Sequence, residues 1–304
     1  MSFLTVSDIH KSYRRIKALE AFDLTANESE IFALVGPDGA GKTSLIRILC
    51  HLVRPDRGAV SIAGYDLARD FEKIKPILGY MPQVFSLYPD LSVEENLKFY
   101  AGIYNLTGAA YEKKRDYLYE FSNLAPFANR RAQALSGGMK QKLALSCALM
   151  HDPKILILDE PTTGVDPLSR HQFWEILLQL KAEGVTILVS TPYMDEVARA
   201  DRAAFVLDGR KLSEGVPEEL ARQFRGRIFF VNHEPTTAVI DSLNNINGLT
   251  AQRFGAGMHL YLEENDRLEN YREQLAALGF DIASLTPGRP SLEDRFIQLT
   301  ESPA

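Results

Sequence analysis

Short apolar runs alternate with polar turns in the first part of the chain. Residues 3–7, 22–26 and 30–35 combine apolar and β-branched positions in the way that strands do. The third run leads directly into a glycine-rich loop, and residues 44–53 then have the apolar spacing of a helix, which the turn at 54–58 ends. The pattern predicts a strand, a loop and a helix in direct succession.

The apolar spacing is helical between residues 91 and 150. Ser92 precedes a helical run at 93–100, and Glu95 occupies the position at which a glutamate completes a capping box. We therefore predict an inserted helical subdomain, approximately residues 88–152.

Strand character returns after this helical segment. Residues 155–158, 186–190 and 203–207 are short apolar runs, and residues 168–181 have helical spacing. Strands that alternate with helices favour a parallel sheet. The sequence thus predicts an α/β domain with the helical subdomain inserted into it.

A second domain is predicted after Gly226. Residues 217–224 resemble a short helix with proline in its first turn, and the boundary divides the chain into domains 1–226 and 227–304. The elements predicted beyond the boundary are strand 227–232, helix 236–245, strands 249–254 and 258–262, helix 266–278, strand 280–285 and helix 291–300. This β-α-β-β-α-β order predicts a small ferredoxin-like α+β domain.

Composition narrows the function classes. The 304 residues carry a net charge of −6 and are 45% hydrophobic, which argues against a general nucleic-acid surface. No apolar run approaches the length that a membrane span needs, and the first residues lack the features of a signal peptide, so we expect a cytosolic chain. Cys50 and Cys147 are predicted to be reduced core residues, because no cluster of metal ligands accompanies them.

The glycine-rich loop at 36–43 fits the pattern of a phosphate-binding loop between a strand and a helix. Its glycines let backbone N–H groups surround a phosphate, Lys42 reaches the β and γ oxygens, and Thr43 offers a hydroxyl to Mg²⁺. The nucleotide-binding residues predicted here are Gly36, Pro37, Asp38, Gly39, Ala40, Gly41, Lys42, Thr43 and Ser44.

Two acids follow the apolar strand at 155–158. Asp159 is predicted to hold Mg²⁺, and Glu160 is predicted to orient or deprotonate the attacking water as the catalytic residue. The phosphate loop earlier in the chain favours this interpretation over that of an ordinary strand ending in acids.

Residues 136–138, Ser-Gly-Gly, open a helix and offer a hydroxyl and two unobstructed N–H groups to an anion. On physical grounds alone this segment is equally a capped turn. The run 135–141, LSGGMKQ, resembles the signature sequence of ATP-binding-cassette (ABC) ATPases, and the similarity extends from Phe3 to about Gly226.

The resemblance implies a P-loop NTPase fold with a RecA-like core, ATP and Mg²⁺ as ligands, and two cassettes that enclose two nucleotides. It implies that the signature contacts ATP bound to the partner cassette, through Leu135, Ser136, Gly137, Gly138 and Gln141. It also implies that Tyr13 stacks on adenine, that Gln83 contacts Mg²⁺, and that Asp166 bridges the interface between cassettes.

Within the family, residues 79–83, 87–96 and 290–300 resemble ATP-binding subunits of drug and multidrug exporters. The resemblance implies separate ABC-2 type permease partners and a position on the cytoplasmic face of the membrane. Two alternatives stay open: a regulatory cassette that binds ATP with little turnover, and a soluble cassette that acts on ribosomes or nucleic acid. The absence of a second cassette and of basic insertions disfavours the latter.

Pro192 departs from the family pattern, which usually has a histidine at this position. The family's histidine contacts the γ-phosphate, whereas proline has neither a side-chain donor nor an N–H. A positioned group of this kind contributes about 10²–10⁴ in rate. Thr191 and Tyr193 are the nearest hydroxyl groups that could replace it. We therefore expect an impaired nucleotide site in this chain, and a heterodimer with a second, complete cassette. The alternative is that Pro192 is a tolerated variant and that ATPase activity is intact.

Overall fold

The computed structural model describes residues 2–301 and divides into two compact units, one ending at Pro217 and the other beginning at Glu218. This division lies earlier than the boundary predicted after Gly226. Within the second unit, the side chain of Gln298 accepts a hydrogen bond from the backbone N of Arg225 at 3.0 Å and donates one to its carbonyl oxygen at 2.5 Å. These bonds tie the segment before Gly226 to the second unit.

The first unit contains a four-stranded antiparallel sheet and a six-stranded sheet. The first sheet has the order β2-β1-β4-β5, and the second has the order β10-β9-β3-β8-β7-β6. The strands are β1 Ser2–Tyr13, β2 Ile16–Asn27, β3 Ile31–Val35, β4 Arg57–Ile62, β5 Tyr65–Asp66, β6 Leu78–Met81, β7 Ile155–Asp159, β8 Thr186–Thr191, β9 Arg202–Leu207 and β10 Arg210–Gly215.

The helices of this unit flank the six-stranded sheet or form the inserted segment. They are α1 Lys42–Leu49, α2 Phe71–Ile74, α3 Val93–Ile103, α4 Gly108–Ser122, α5 Gly137–Ala148, α6 Pro167–Ala182 and α7 Met194–Val197, and α8 Pro217–Arg222 follows at the division between the units. Single 3₁₀ turns occupy Lys75–Ile77, Ala125–Phe127 and Ala132–Ala134.

The centre of the six-stranded sheet is fully buried. Every residue of β3, β7 and β8 is buried, which explains why these strands are continuous apolar runs without alternation. The three strands are parallel to one another, so that their carboxyl ends meet at one edge of the sheet. Ligands of open α/β sheets bind at this edge.

The inserted helical segment comprises α3, α4 and α5, between β6 and β7. Its first helix begins with the predicted capping box: Ser92 Oγ accepts from Glu95 N at 3.1 Å, and the Glu95 carboxylate accepts from Ser92 N at 2.7 Å. The prediction of a capped helix at this position is confirmed.

The second unit has a four-stranded sheet of order β12-β13-β11-β14, in which all neighbours are antiparallel. Its strands are β11 Arg227–Val231, β12 Leu249–Phe254, β13 Gly257–Leu262 and β14 Thr286–Pro287. Its helices are α9 Thr237–Asn244, α10 Arg272–Ala277 and α11 Leu292–Glu301, with 3₁₀ turns at Leu268–Tyr271 and Ile282–Ser284. The elements follow the β-α-β-β-α-β order, with a very short last strand.

The strand predicted at 280–285 is wrong. Asp281 instead begins a 3₁₀ turn: its carboxylate accepts from Ala283 N at 3.0 Å, and its carbonyl oxygen accepts from Ser284 Oγ at 2.6 Å. Such local side-chain bonds compete with the hydrogen bonds of a sheet. The strand therefore forms later and is two residues long.

Two further observations concern the chain as a whole. Cys50 and Cys147 are buried free thiols, as expected, and burial raises the pKa of both. Within residues 2–301, no helix combines the length and the apolar character needed to cross a bilayer.

Candidate nucleotide site

The phosphate loop connects β3 to α1 at the carboxyl edge of the parallel sheet. A side chain at Gly36 would place its Cβ 2.1 Å from the carbonyl oxygen of Val206, and one at Gly41 would place it 2.4 Å from the carbonyl oxygen of Ala18. Gly41 also has a φ of 105°, which favours glycine. The tight loop therefore requires glycine at both positions.

Lys42 is held inside this loop. Its Nζ donates to the carbonyl oxygens of Gly36 at 2.7 Å and Pro37 at 3.0 Å, and it lies 3.2 Å from Glu160 Oε1. The two charged side chains are 3% and 5% exposed. A buried charge needs such a partner, and each of these two groups provides one for the other.

Glu160 follows β7 with a φ of 48°, an unusual conformation for a residue other than glycine. Its backbone N donates to the carbonyl oxygen and to Oγ of Ser190, at 3.2 and 3.0 Å, which fixes the turn. Its Oε2 accepts from Gln83 Nε2 at 2.9 Å and from Thr163 Oγ1 at 3.3 Å. Both carboxylate oxygens therefore have donors.

Asp159 is buried beside it, at the end of β7. Its Oδ1 accepts from Ser190 Oγ at 2.9 Å and from Thr43 Oγ1 at 3.1 Å. Burial raises the pKa of Asp159, and the two hydroxyl donors oppose that shift. The Thr43 hydroxyl and the Asp159 carboxylate thus converge, and oxygen ligands of this kind suit Mg²⁺.

A cavity of about 260 Å³ lies beside these groups, and Asp159 is not among its lining residues. It is lined by Ile16, Ala18, Gln83, Glu160 and residues 38–44. Ile16 and Ala18 were not predicted from the sequence. Tyr13 is not part of this lining; its ring lies 5.5 Å from Lys11 Nζ, and its role in stacking on adenine stays a prediction.

The signature segment is separate from this cavity. Within residues 2–301, no side chain from 135–141 lines it. Ser136 caps α5 by accepting from Met139 N at 3.3 Å, and both Ser136 and Gly137 are exposed, whereas Leu135 is buried and Gln141 is partly buried.

Gly138 has a packing role that the sequence did not indicate. A Cβ at this position would lie 2.5 Å from the Cβ of Ser169. Ser169 belongs to α6, and its backbone N donates to the carboxylate of Asp166 at 2.9 Å, which caps that helix. Hydrogen bonds from the side chain and from the backbone of Ser169 lower the pKa of Asp166. The starts of α5 and α6 are therefore in close contact.

Pro192 lies in the turn between β8 and α7. The hydroxyl of Thr191 donates to Glu196 at 2.6 Å and accepts from Tyr193 N at 3.1 Å. The ring of Tyr193 packs against Arg170, whose Cζ is 4.3 Å from the ring centroid. Thr191 is thus engaged elsewhere, which weighs against its replacing a histidine.

Comparison with known proteins identifies the family. A family model described as ABC transporter matches residues 19–163. The chain is 31% identical over 301 residues to the Nod factor export ATP-binding protein I of Rhizobium etli, covering 99% of this chain and 94% of that protein. The chain belongs to the ABC transporter ATP-binding proteins.

Other ABC relatives have names that refer to drugs. The probable multidrug ABC transporter ATP-binding protein YbhF of Escherichia coli is 38% identical over 285 residues, or 93% of this chain and 49% of that protein. This chain therefore spans about half of the length of YbhF. The linearmycin resistance ATP-binding protein LnrL of Bacillus subtilis is 30% identical, with 98% of both chains covered.

Solved ABC cassettes share the fold. An ATP-binding subunit of an ABC transporter superimposes with a TM-score of 0.66 at 34% identity, covering 73% of this chain and 93% of that one. A dimeric bacterial ABC transporter cassette has a TM-score of 0.64 at 27% identity, covering 70% and 98%. The predicted P-loop NTPase fold is confirmed.

Proposed function

We propose that this chain is the ATP-binding and ATP-hydrolysing subunit of an ABC exporter. The observation that carries the proposal is the ion pair of Lys42 and Glu160 at the cavity beside the phosphate loop, with Asp159 bonded to the loop residue Thr43. Related cassettes support the ligand, since one of them is described as bound to ADP and Pi.

Binding of ATP would exchange one set of contacts for another. The γ-phosphate would take the place of Glu160 as the anionic partner of Lys42, while the loop N–H groups accommodate the remaining phosphate oxygens. Thr43, Asp159 and Gln83 would hold Mg²⁺, which neutralises charge on the phosphates when it is bound. Glu160 is then released from its ion pair.

Release of Glu160 leaves a carboxylate beside the phosphates. Its backbone conformation is fixed by Ser190, and Gln83 and Thr163 orient one of its oxygens. The other oxygen, which pairs with Lys42 before nucleotide binds, becomes free to accept a proton from the attacking water. Glu160 is therefore the proposed general base.

The signature is proposed to act on ATP in a second cassette. Ser136 and Gly137 are exposed, and Asp166 lies exposed at the start of the neighbouring helix. An exposed helix N-terminus with a free glycine N–H suits an anion supplied by another molecule. Because Pro192 offers no donor, a heterodimer with a complete second cassette is favoured over a homodimer. A regulatory cassette with little turnover is the alternative.

Exposed apolar side chains support a membrane partner. Val84 and Tyr88 follow Gln83 in the chain, and Phe99, Ile103 and Tyr104 lie at α3; all five are at least 40% exposed. The rings of Tyr88 and Phe99 are 4.7 Å apart, and exposed apolar side chains that cluster in this way are typical of an interaction site. We propose that it receives a cytoplasmic segment of an ABC-2 type permease, on the cytoplasmic face of the membrane, and the net charge of −6 disfavours a nucleic-acid partner.

Substitution of the general base tests the proposed activity. Glu160→Gln should lower hydrolysis by at least about a hundredfold, because a carboxamide cannot take the proton from water. ATP affinity, measured by calorimetry, should be retained or increased, since Lys42 loses a competing anion. Hydrolysis that is unaffected by Glu160→Gln would contradict the role of Glu160. If the assembled wild-type transporter hydrolyses ATP as slowly as the isolated chain does, the regulatory alternative is favoured.

A further inference from the structure

Glu196 is a buried carboxylate that the proposed chemistry does not use. It is 4% exposed and lies in the short helix α7, after Pro192. Its Oε1 accepts from Thr162 Oγ1 at 2.7 Å, and its Oε2 accepts from Thr191 Oγ1 at 2.6 Å. One carboxylate therefore joins the turn after β7, which carries Glu160, to the end of β8.

Both of these bonds are donated to the Glu196 carboxylate. Thr191 Oγ1 already accepts from Tyr193 N, so its proton is directed to Glu196. Thr162 also donates, and it is buried as well. A carboxylate accepts hydrogen bonds at both oxygens, whereas a carboxamide accepts at one and donates at the other. Glutamine at this position would turn one of the two hydroxyls from a donor into an acceptor, and the proton of that hydroxyl would lose its present partner.

Arg170 extends the connection to a third element. Its Nη1 lies 3.9 Å from Glu196 Oε1, and its Nη2 lies 3.6 Å from Asp195 Oδ2. Arg170 belongs to α6, and its backbone N donates to the carbonyl oxygen of Asp166 at 2.9 Å. The group around Glu196 thus contacts the turn after β7, the end of β8 and the helix that begins at Asp166.

We infer that Glu196 is a positioning residue for hydrolysis, which fixes the turn that carries Glu160 relative to the turn at Pro192. The inference rests on the proposed role of Glu160. The bonds described above join Glu196 to no residue that lines the nucleotide cavity. Glu196 therefore acts through Thr162 and Thr191. Displacement of a reacting group by about 1 Å costs up to about a hundredfold in rate.

The test compares Glu196→Gln with the wild-type chain in single-turnover hydrolysis, which measures slow rates with protein in excess. We expect the rate constant at saturating protein to fall at least about tenfold, and the Kd for ATP to change less than about twofold. Glu175→Gln is the matched control, because Glu175 is an exposed glutamate on α6 that pairs with Arg199. It should leave both quantities unchanged.

Variants of Thr191 and Thr162 distinguish a positioning role of Glu196 from an effect on folding. Thr191→Val removes the hydroxyl at nearly constant volume and should lower the rate, whereas Thr191→Ser keeps the hydroxyl and should restore it. Thr162→Val should add little to Glu196→Gln, because both remove the same bond. These variants keep the inference testable even if Glu196→Gln does not fold.

Two results would overturn the inference. One is a hydrolysis rate that Glu196→Gln leaves unchanged. The other is a parallel loss of hydrolysis rate, ATP affinity and melting temperature in Glu196→Gln, which is the result expected if the residue is purely structural. Equal rates for Thr191→Val and Thr191→Ser would count against it too. Glu160→Gln is measured in the same assay: if it leaves hydrolysis intact, the proposed role of Glu160 fails, and if it abolishes hydrolysis while Glu196→Gln leaves the rate unchanged, the inference alone fails.

Discussion

The phosphate-loop region and the signature region differ in how their polar groups are partnered. In the first, Lys42, Asp159 and Glu160 are buried and bonded to groups of the same cavity wall. In the second, Ser136 is exposed and its side chain bonds to the start of its own helix. Asp166 has the same arrangement at α6.

This difference indicates what each region can do alone. The buried cluster contains a cation, two carboxylates and several hydroxyl donors, so one chain suffices to prepare a phosphate site. The signature region offers exposed donors at a helix start, and within residues 2–301 it contributes nothing to the lining of the nucleotide cavity. The comparison supports the proposal that the signature acts on nucleotide in a second cassette.

Lys42→Ala should produce the largest effect, because it removes the cation of the buried cluster. We expect the Kd for ATP to rise by at least about a hundredfold, in line with the loss of a buried charged hydrogen bond. Calorimetric titration measures this, with Lys73→Ala as a control at an exposed lysine. If Lys42→Ala and the wild type bind ATP with equal affinity, the assignment of the phosphate loop to the nucleotide site is wrong.

Ser136→Arg should leave the chain's own ATP affinity unchanged and disable the partner's site. The arginine would occupy the space at an exposed helix start, so hydrolysis by the assembled complex should fall about a hundredfold. Thr236→Arg is the matched control, since Thr236 caps α9 through its hydroxyl in the same way. A Ser136→Arg variant that loses its own ATP binding would contradict the separation of the two regions.

Pro192→His should have a smaller effect, an increase of at least about tenfold in hydrolysis by the isolated chain. The gain should disappear when Glu160→Gln is combined with it, because the histidine has no general base to support. Steady-state phosphate release provides the measurement. Vigorous hydrolysis by the wild-type chain, insensitive to Pro192→His, would reject both the impaired site and the heterodimer.

Contiguous features of the site could be predicted from the sequence. The phosphate loop is one uninterrupted segment, and the strand and helix that the motif requires on either side of it are its direct neighbours in the chain. Asp159 and Glu160 follow directly from an apolar run, and the capping box at Ser92 is complete within four residues. Each of these features depends on residues that are close together in the sequence, so it can be recognised from the sequence alone.

Contacts between distant segments could not be predicted. Thr162 and Glu196 are 34 residues apart, and nothing in either neighbourhood indicates the other. Ile16 and Ala18 line the cavity because β2 runs close to the loop at Gly41, a matter of tertiary packing. At residues 280–285 the apolar positions are real, but they pack a 3₁₀ turn into the core of the second unit.

The contact between Gly138 and Ser169 has a mechanical consequence. Because the starts of α5 and α6 approach too closely for a side chain at position 138, neither helix can tilt far without displacing the other. We therefore expect the signature and Asp166 to be displaced together. In a pair of cassettes, a displacement of the signature by the partner's nucleotide would then also shift Arg170, which lies on the same helix as Ser169.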